Sequence, residues 1–215
     1  MYYAFDRAGN IRETSYDRRL PLFWSLDFNI NPMCSVLGQR DGDRVYILDE
    51  LVLPDSNTLA ACEEFLRRTE AWLLRSSAPI QLNIYGDATG DSRQSSASRT
   101  DWEIVREFFS RCRDRFTVSF CQGSSNPHVR DRTNCVNAVL RNQAGLRRIF
   151  VDGRAKQLIQ DFERVHWKTD VNGNPLGEID KSDPARTHTS DALGYMIARE
   201  FPMQAAIGYR SEKIF

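Results

Sequence analysis

The spacing of the apolar residues is strand-like in the first part of this chain and then alternates between helical and strand-like segments. Few folds accommodate this order. Three strand-like runs come first, over 20–28, 33–39 and 44–52, and short connections join them. Asp41-Gly42, between the second and third runs, is a strong hairpin turn signal. Strands joined this tightly pair antiparallel. The first quarter of the chain therefore predicts a three-stranded antiparallel unit.

Helical and strand-like segments alternate after this unit. Thr100-x-x-Glu103 is a capping box, which predicts that a helix starts there. The predicted order is helix 59–74, strand 80–87, helix 100–113, strand 116–120, helix 129–141, strand 148–151, helix 154–165, a β-hairpin over 166–180, and a last helix 190–201. This order predicts an α/β fold, in which a mixed sheet of three antiparallel strands and then parallel strands has helices on both faces.

Three aspartates lie at the ends of these segments. Asp27 and Asp87 each close an apolar strand, and Asp191 opens the last helix. Strand ends at a change of topology are where open α/β sheets place their sites. Clustered carboxylates repel one another unless a cation lies between them, and Mg²⁺ prefers oxygen ligands. The three residues therefore indicate metal-dependent phosphodiester chemistry, although each alone is also typical of a turn or a helix cap.

The composition excludes several other classes of protein. The 29 Lys and Arg balance the 29 Asp and Glu, so the chain is not a strongly basic nucleic-acid binder. The five cysteines are odd in number and lack C-x-x-C spacing, which argues against a disulfide framework or a zinc site and favours reduced thiols in the cytoplasm. No apolar run approaches the about 18 to 20 residues that span a bilayer, so no membrane contact is expected.

The length of 215 residues suits one domain with small additions. We expect a polar, irregular approach segment at 1–19, a folded domain at 20–201 and a weakly patterned tail at 202–215. The loop 88–98 and the hairpin 166–180 are long enough to regulate access to a site between them.

Several segments, taken in order, resemble a known family. They are Leu26-Asp-Phe-Asn-Ile-Asn-Pro-Met, Tyr85-Gly-Asp-Ala-Thr-Gly, Asn126-Pro-x-Val-Arg-Asp-Arg-x-Asn, Ile149-Phe-Val-Asp, and Asp183-Pro-x-x-x-His-Thr-Ser-Asp-Ala-Leu-Gly-Tyr. The chain resembles the C-terminal nuclease domain of terminase large subunits, the DNA-packaging motors of tailed bacteriophages. The resemblance covers about 20–201 and implies a ribonuclease H-like fold.

The resemblance also implies a catalytic site. It makes Asp27, Asp87 and Asp191 the ligands of Mg²⁺ or Mn²⁺, with two ions expected, and His188 an accessory group. Candidate contacts to the DNA backbone are Lys181, Arg186, Arg130 and Arg132. Further acids that could lie near the site are Glu50, Asp49 and Asp183, for which solvent exposure is the simpler interpretation.

The implied function is an endonuclease that cuts concatemeric double-stranded viral DNA during genome packaging in the host cell cytoplasm. The implied partners are DNA, an N-terminal ATPase domain of the same polypeptide, the portal protein and the small terminase subunit. The sequence contains no G-x-x-x-x-G-K-[ST] loop, so we assign no ATPase activity to this chain. Two alternatives stay open: another ribonuclease H-like nuclease (a junction resolvase or a hybrid nuclease), and a non-catalytic module that docks on DNA or the portal.

Overall fold

The computed structural model describes residues 1–29, 31–91, 99–172, 174–180, 182–183 and 186–203. Its strands are β1 (Leu22–Asp27), β2 (Met33–Asp41), β3 (Arg44–Leu53), β4 (Ile80–Gly86), β5 (Phe116–Phe120), β6 (Ile149–Val151), β7 (Trp167–Thr169) and β8 (Pro175–Ile179). Its helices are α1 (Arg7–Asn10), α2 (Thr58–Leu73), α3 (Asp101–Ser110), α4 (Val129–Leu140), α5 (Lys156–Arg164) and α6 (His188–Glu200). The elements predicted from residue 20 onward are confirmed, with ends that differ by a few residues.

Six strands form one mixed sheet in the order β5-β4-β1-β2-β3-β6. β2 pairs antiparallel with both β1 and β3, while β4 lies parallel to β1 and β5 parallel to β4. β6 extends the other edge, parallel to β3. The predicted α/β mixed sheet is therefore confirmed, and β1 lies in its interior, where the antiparallel and parallel halves meet.

The hairpin between β2 and β3 has the tight turn that its sequence predicts. Asp41 pairs with Arg44 across the turn. Gly42 has a φ of +57°, and nothing lies within 4 Å of the position that a Cβ would occupy there. The backbone conformation, rather than packing, therefore requires glycine at this position.

Two apolar clusters cover the two faces of the sheet. On one face, Trp24 and Leu26 pack with residues of α2 and α3, among them Phe65 and Trp102. On the other face, residues of β1 to β4 and β6 pack with α4, α5 and α6. Successive residues of β1 alternate between the faces, yet the whole strand is buried, because both faces carry helices.

The N-terminal residues depart from the predicted irregular approach segment. Tyr2 and Ala4 are buried in the core with α5, and residues Arg7–Asn10 form α1. Asn10 is fully buried and donates hydrogen bonds through Nδ2 to the carbonyls of Leu140 (3.1 Å) and Ile149 (2.9 Å). Residues 1–19 are thus packed on the domain, and the domain boundaries at 20 and 201 stay predictions.

Three further features bear on the predicted surface segments. β7 and β8 pair antiparallel, as the predicted hairpin requires. Within the loop 88–98, residues Ala88–Asp91 form a 3₁₀ turn and 92–98 lie outside the described residues, as does the predicted tail from 204 onward. In the described part of the chain, every helix is too short or too polar to cross a membrane.

Candidate active site

The ends of β1 and β4 place two of the three aspartates side by side. Leu26 of β1 pairs with Gly86 of β4 in the parallel register. Asp27 directly follows Leu26, and Asp87 directly follows Gly86. The Asp87 backbone N–H donates to the Leu26 carbonyl at 3.3 Å. Because parallel strands end at the same edge of a sheet, both carboxylates lie at that edge, as the sequence predicts.

The backbone of β4 is held closely at this point. A Cβ on Gly86 would lie 3.0 Å from the Leu26 carbonyl oxygen and 3.3 Å from the Trp102 ring. The indole Nε1 of Trp102, which is fully buried, donates to the Asp87 carbonyl at 2.8 Å. Tight packing and one buried hydrogen bond therefore fix the backbone that carries Asp87.

The first turn of α6 brings Asp191 to the same edge. α6 packs across β1, β2 and β4, and Ala192 and Leu193 are fully buried. The Ser25 hydroxyl of β1 donates to the Ala192 carbonyl at 2.5 Å, which ties the helix to the central strand. Asp191 thereby lines the same open cleft as Asp27.

One open cleft of about 610 Å³ contains all three aspartates and His188. The other described residues that line it are Asn29, Asn126, Pro127, Val129, Arg132, Lys168, Gly177, Glu178, Ile179, Thr187 and Tyr195. The lining comes from β1, β4, α4, α6 and the hairpin β7-β8. The structure therefore brings together four residues that the sequence identified from three separate elements.

Asp27 is held by two polar side chains. Its Oδ2 accepts a hydrogen bond from Asn29 Nδ2 at 2.9 Å and lies 2.9 Å from His188 Nδ1. Asn29 Nδ2 also lies 2.8 Å from His188 Nδ1. The predicted accessory histidine is thus in direct contact with one of the three carboxylates, where it can orient that group or share a proton with it.

Asp87 has a different set of partners. Its Oδ1 accepts from the Thr89 backbone N–H at 2.6 Å, from the Thr89 hydroxyl at 2.7 Å and from Asn126 Nδ2 at 2.6 Å. The Tyr195 hydroxyl lies 3.4 Å from the other oxygen, Oδ2. These bonds orient one oxygen toward the loop after β4 and leave the second facing the cleft.

Asp191 forms a buried ion pair with Arg132 of α4. Arg132 Nη2 donates to Asp191 Oδ1 at 2.5 Å, and the side chains are 6% and 14% exposed. The guanidinium also stacks 4.5 Å from the centre of the Tyr195 ring. Burial raises the pKa of the Asp191 carboxyl above its ordinary value, even though the Arg132 charge acts in the opposite direction.

The donor chemistry of the cleft suits a hard divalent cation, because carboxylate oxygens from three elements line one open space. In the structure, however, the three carboxylates are not close enough together to surround one cation. Among the described residues, no three His, Cys, Asp or Glu side chains are close enough together to hold a metal. Each aspartate is instead bonded to its own polar neighbours, so the three carboxylates must move closer together before all can share a cation.

The predicted DNA contacts fall into three groups. Arg130 is exposed on the first turn of α4. Arg186 is half-buried and pairs through Nε with Asp183 at 2.8 Å, and Lys181 lies outside the described residues. Arg132 is buried, lines the cleft and pairs with Asp191, and its contact with DNA stays a prediction.

The further acids lie outside the cleft. Glu50 accepts backbone hydrogen bonds from Gln157 and Leu158 at the start of α5, and Asp49 pairs with Arg68 at 2.6 Å. Asp183 pairs with Arg186. These contacts account for all three without a role as ligands.

Sequence reasoning gave no role to three residues that the structure places against the aspartates, namely Asn29, Asn126 and Tyr195. Two features of the sequence could have identified these three residues. Asn29 and Asn126 are polar residues inside two of the motifs that carry the resemblance. Tyr195 follows Asp191 by four residues, which puts both on the same face of a helix.

Comparison with known proteins gives the fold of this chain but no sequence family. No family model and no curated relative matches it. The structure is similar to the large terminase of thermophilic bacteriophage D6E in complex with ADP, with a TM-score of 0.62, 13% identity, and coverage of 92% of this chain and 44% of the other. It is also similar to the bacteriophage P22 large terminase nuclease domain, with a TM-score of 0.59, 14% identity, and coverage of 93% and 92%.

A third similar structure is the nuclease domain of the bacteriophage SPP1 large terminase with bound Mn, with a TM-score of 0.51, 19% identity, and coverage of 89% and 96%. The resemblance to terminase nuclease domains, and with it the ribonuclease H-like mixed sheet, is therefore confirmed at the level of fold. The chain spans less than half of the length of the D6E large terminase chains that it matches.

Proposed function

We propose that this chain is a nuclease domain that hydrolyses double-stranded DNA with the help of Mg²⁺ or Mn²⁺ held by Asp27, Asp87 and Asp191. The observation that carries the proposal is the meeting of these three carboxylates in one open cleft, at the edge of a fold shared with terminase nuclease domains. The SPP1 domain with bound Mn supports the choice of metal.

Each polar neighbour has a role in this reaction. His188 orients the Asp27 carboxylate and can accept a proton from the attacking water. Thr89 and Asn126 hold one oxygen of Asp87, so the other is presented to the cleft. Arg132 balances the charge of Asp191, which lowers the repulsion among the three acids. Two bound cations would stabilise the charge that develops on the phosphate and on the departing 3′ oxygen.

The wider biological role is also part of the proposal. The domain would cut concatemeric viral DNA during genome packaging in the host cell cytoplasm, next to an ATPase domain of the same polypeptide. The portal protein and the small terminase subunit would be its partners. The exposed Arg130, together with Arg186 and Lys181, would contact the phosphate backbone. Low activity is expected from the isolated domain, because the attached motor would supply the local DNA concentration.

A plasmid cleavage assay with Mn²⁺ or Mg²⁺ tests the proposal. We expect Asp27→Asn, Asp87→Asn and Asp191→Asn each to reduce the rate by at least about 100-fold, the scale of losing one group that stabilises transition-state charge. The matched control is Asp43→Asn, because Asp43 is exposed in the β2-β3 turn at the opposite end of the sheet. Undiminished cleavage by all three cleft variants would refute the assignment.

Two alternatives predict other results. Another ribonuclease H-like nuclease would cleave a four-way junction or an RNA–DNA hybrid faster than linear duplex DNA under the same metal condition. A non-catalytic docking module is favoured by the bonded state of the three acids, since Asp191 already has a buried counter-ion. Such a module would bind DNA or the portal without cleaving DNA, and its stability would not respond to Mn²⁺.

A further inference from the structure

A buried carboxylate on α5 lies behind the cleft without lining it. Asp161 is completely excluded from solvent. Its Oδ2 accepts a hydrogen bond from the Ser190 backbone N–H at 3.0 Å, and its Oδ1 accepts from Gln157 Nε2 at 3.2 Å. A buried aspartate is rare unless such partners hold it, so this arrangement is specific.

The bond from the Ser190 N–H joins Asp161 to the first turn of α6. The first N–H groups of a helix have no partner within the helix, and a side chain of the preceding residue commonly satisfies one of them. Here the preceding residue, Thr187, makes no such bond, and its φ of +81° is unfavourable for any residue but glycine. Asp161 supplies the missing acceptor from a different helix, 29 positions earlier in the sequence.

The turn that Asp161 holds is the turn that carries the cleft residues of α6. His188 lies two residues before Ser190, whose N–H is bonded to Asp161, and Asp191 directly follows Ser190. The Asp191 N–H donates to the Thr187 carbonyl at 2.7 Å. A shift of this turn moves both side chains relative to Asp27, which is fixed on β1. The position of the third carboxylate therefore depends on a residue outside the cleft.

We propose that Asp161 is a positioning residue, which fixes the start of α6 and thereby sets the place of Asp191 and His188 beside Asp27. The effect on metal binding rests on the proposed function of these residues; the effect on the helix start does not.

The chain offers a matched control for this role. Glu50 of β3 is also a carboxylate that holds a helix start from another element, because its two oxygens accept from the N–H groups of Gln157 (2.7 Å) and Leu158 (2.8 Å) of α5. No residue of α5 lines the cleft. Loss of either carboxylate removes a helix cap, but only Asp161 bonds directly to the helix that carries Asp191.

The experiment compares Asp161→Asn and Glu50→Gln with the wild type in the whole chain. Hydrogen exchange is measured at the amides of 188–192, and Mn²⁺ affinity is measured by calorimetry. We expect Asp161→Asn to speed exchange at these amides and to weaken Mn²⁺ binding about 10- to 100-fold, the usual effect of losing a group that orients a metal ligand. Glu50→Gln is expected to lower the melting temperature, while Mn²⁺ affinity changes less than about twofold.

Equal losses of Mn²⁺ affinity in both variants, or unchanged affinity in Asp161→Asn, would overturn the positioning role. If the wild type binds no Mn²⁺, the proposed function fails, and exchange at 188–192 alone decides this inference. If Asp161→Asn does not fold, exchange of the Ser190 amide in the wild type decides: protection supports the bond to Asp161, and the rapid exchange usual for a first-turn amide overturns it.

Discussion

Gly194 has no side chain, and this lets Arg132 cross α6 to reach Asp191. A Cβ on Gly194 would lie 2.7 Å from both Cγ and Cδ of Arg132. Arg132 cannot easily yield, because it is buried and bonded to Asp191. A glycine in the middle of a helix normally makes the folded protein less stable than an alanine would. Its presence here therefore reflects the space that the aliphatic part of the Arg132 side chain needs.

We expect Gly194→Ala to destabilise the protein by about 1–3 kcal/mol, the range for overpacking a closed interior. Propensity alone predicts the opposite sign, a gain of about 1 kcal/mol. In an Arg132→Ala background the clash is absent, so the same substitution should be neutral or stabilising. Urea denaturation of the four members of this double-mutant cycle measures the coupling. Additive effects would show that Gly194 and Arg132 do not compete for space.

At the scale of secondary-structure elements, one half-buried and one buried carboxylate each connect an element to the start of the next. Glu50 on β3 holds α5, and Asp161 on α5 holds α6, which carries Asp191. Burial raises the pKa of Glu50 to about 7 and that of Asp161 to about 6, although backbone N–H groups act in the opposite direction. The helices are thus placed by groups whose charge depends on pH.

The raised pKa of Glu50 predicts a fall in stability as pH rises from about 4.5, its ordinary value, to about 7. In this window the folded protein binds a proton that the unfolded chain has released, so each step up in pH favours unfolding. Glu50→Gln should flatten the dependence of the free energy of unfolding on pH between these limits. The measurement is denaturation at several pH values, and an unchanged slope in the variant would exclude Glu50 as the cause.

At the scale of the whole molecule, one part of the cleft comes from the sheet and the other from helices packed on one of its faces. β1 and β4 carry Asp27 and Asp87 in the interior of the sheet, while Arg132 and Asp191 come from helices packed on one face. A cation shared by the three aspartates would therefore join the sheet to α6. Such a link stabilises the folded state, because the unfolded chain does not hold the three groups together.

We expect Mn²⁺ at about 100 times its dissociation constant to add about 2.7 kcal/mol of stability, which corresponds to a rise of roughly 5–10 °C in melting temperature for a protein of this size. Asp27→Asn and Asp191→Asn should remove this rise, while Asp43→Asn should keep it. A thermal melt with and without Mn²⁺ measures the effect. A wild type that melts at the same temperature in both conditions would contradict a metal site in the cleft.

Features that are local in sequence could be predicted, and those that join distant segments could not. The turn at Gly42 and the capping box at Thr100 depend on residues within a few positions, and both are present as predicted. The burial of Tyr2 could not be foreseen, because the short apolar run over 1–5 is too brief to show a strand or helix periodicity. The position of Arg132 depends on how α4 and α6 pack, which no local pattern encodes.

The sequence by itself determined the order of strands and helices and the three aspartates at their ends, because periodicity and turn chemistry act over short stretches of chain. Only the tertiary structure decided which groups surround those aspartates. Arg132 and Asp191 are 59 residues apart, and His188 and Asp27 are 161 apart. Such pairs form because the packing of helices on the sheet brings them within hydrogen-bonding distance, and that packing follows from the shape of the whole core.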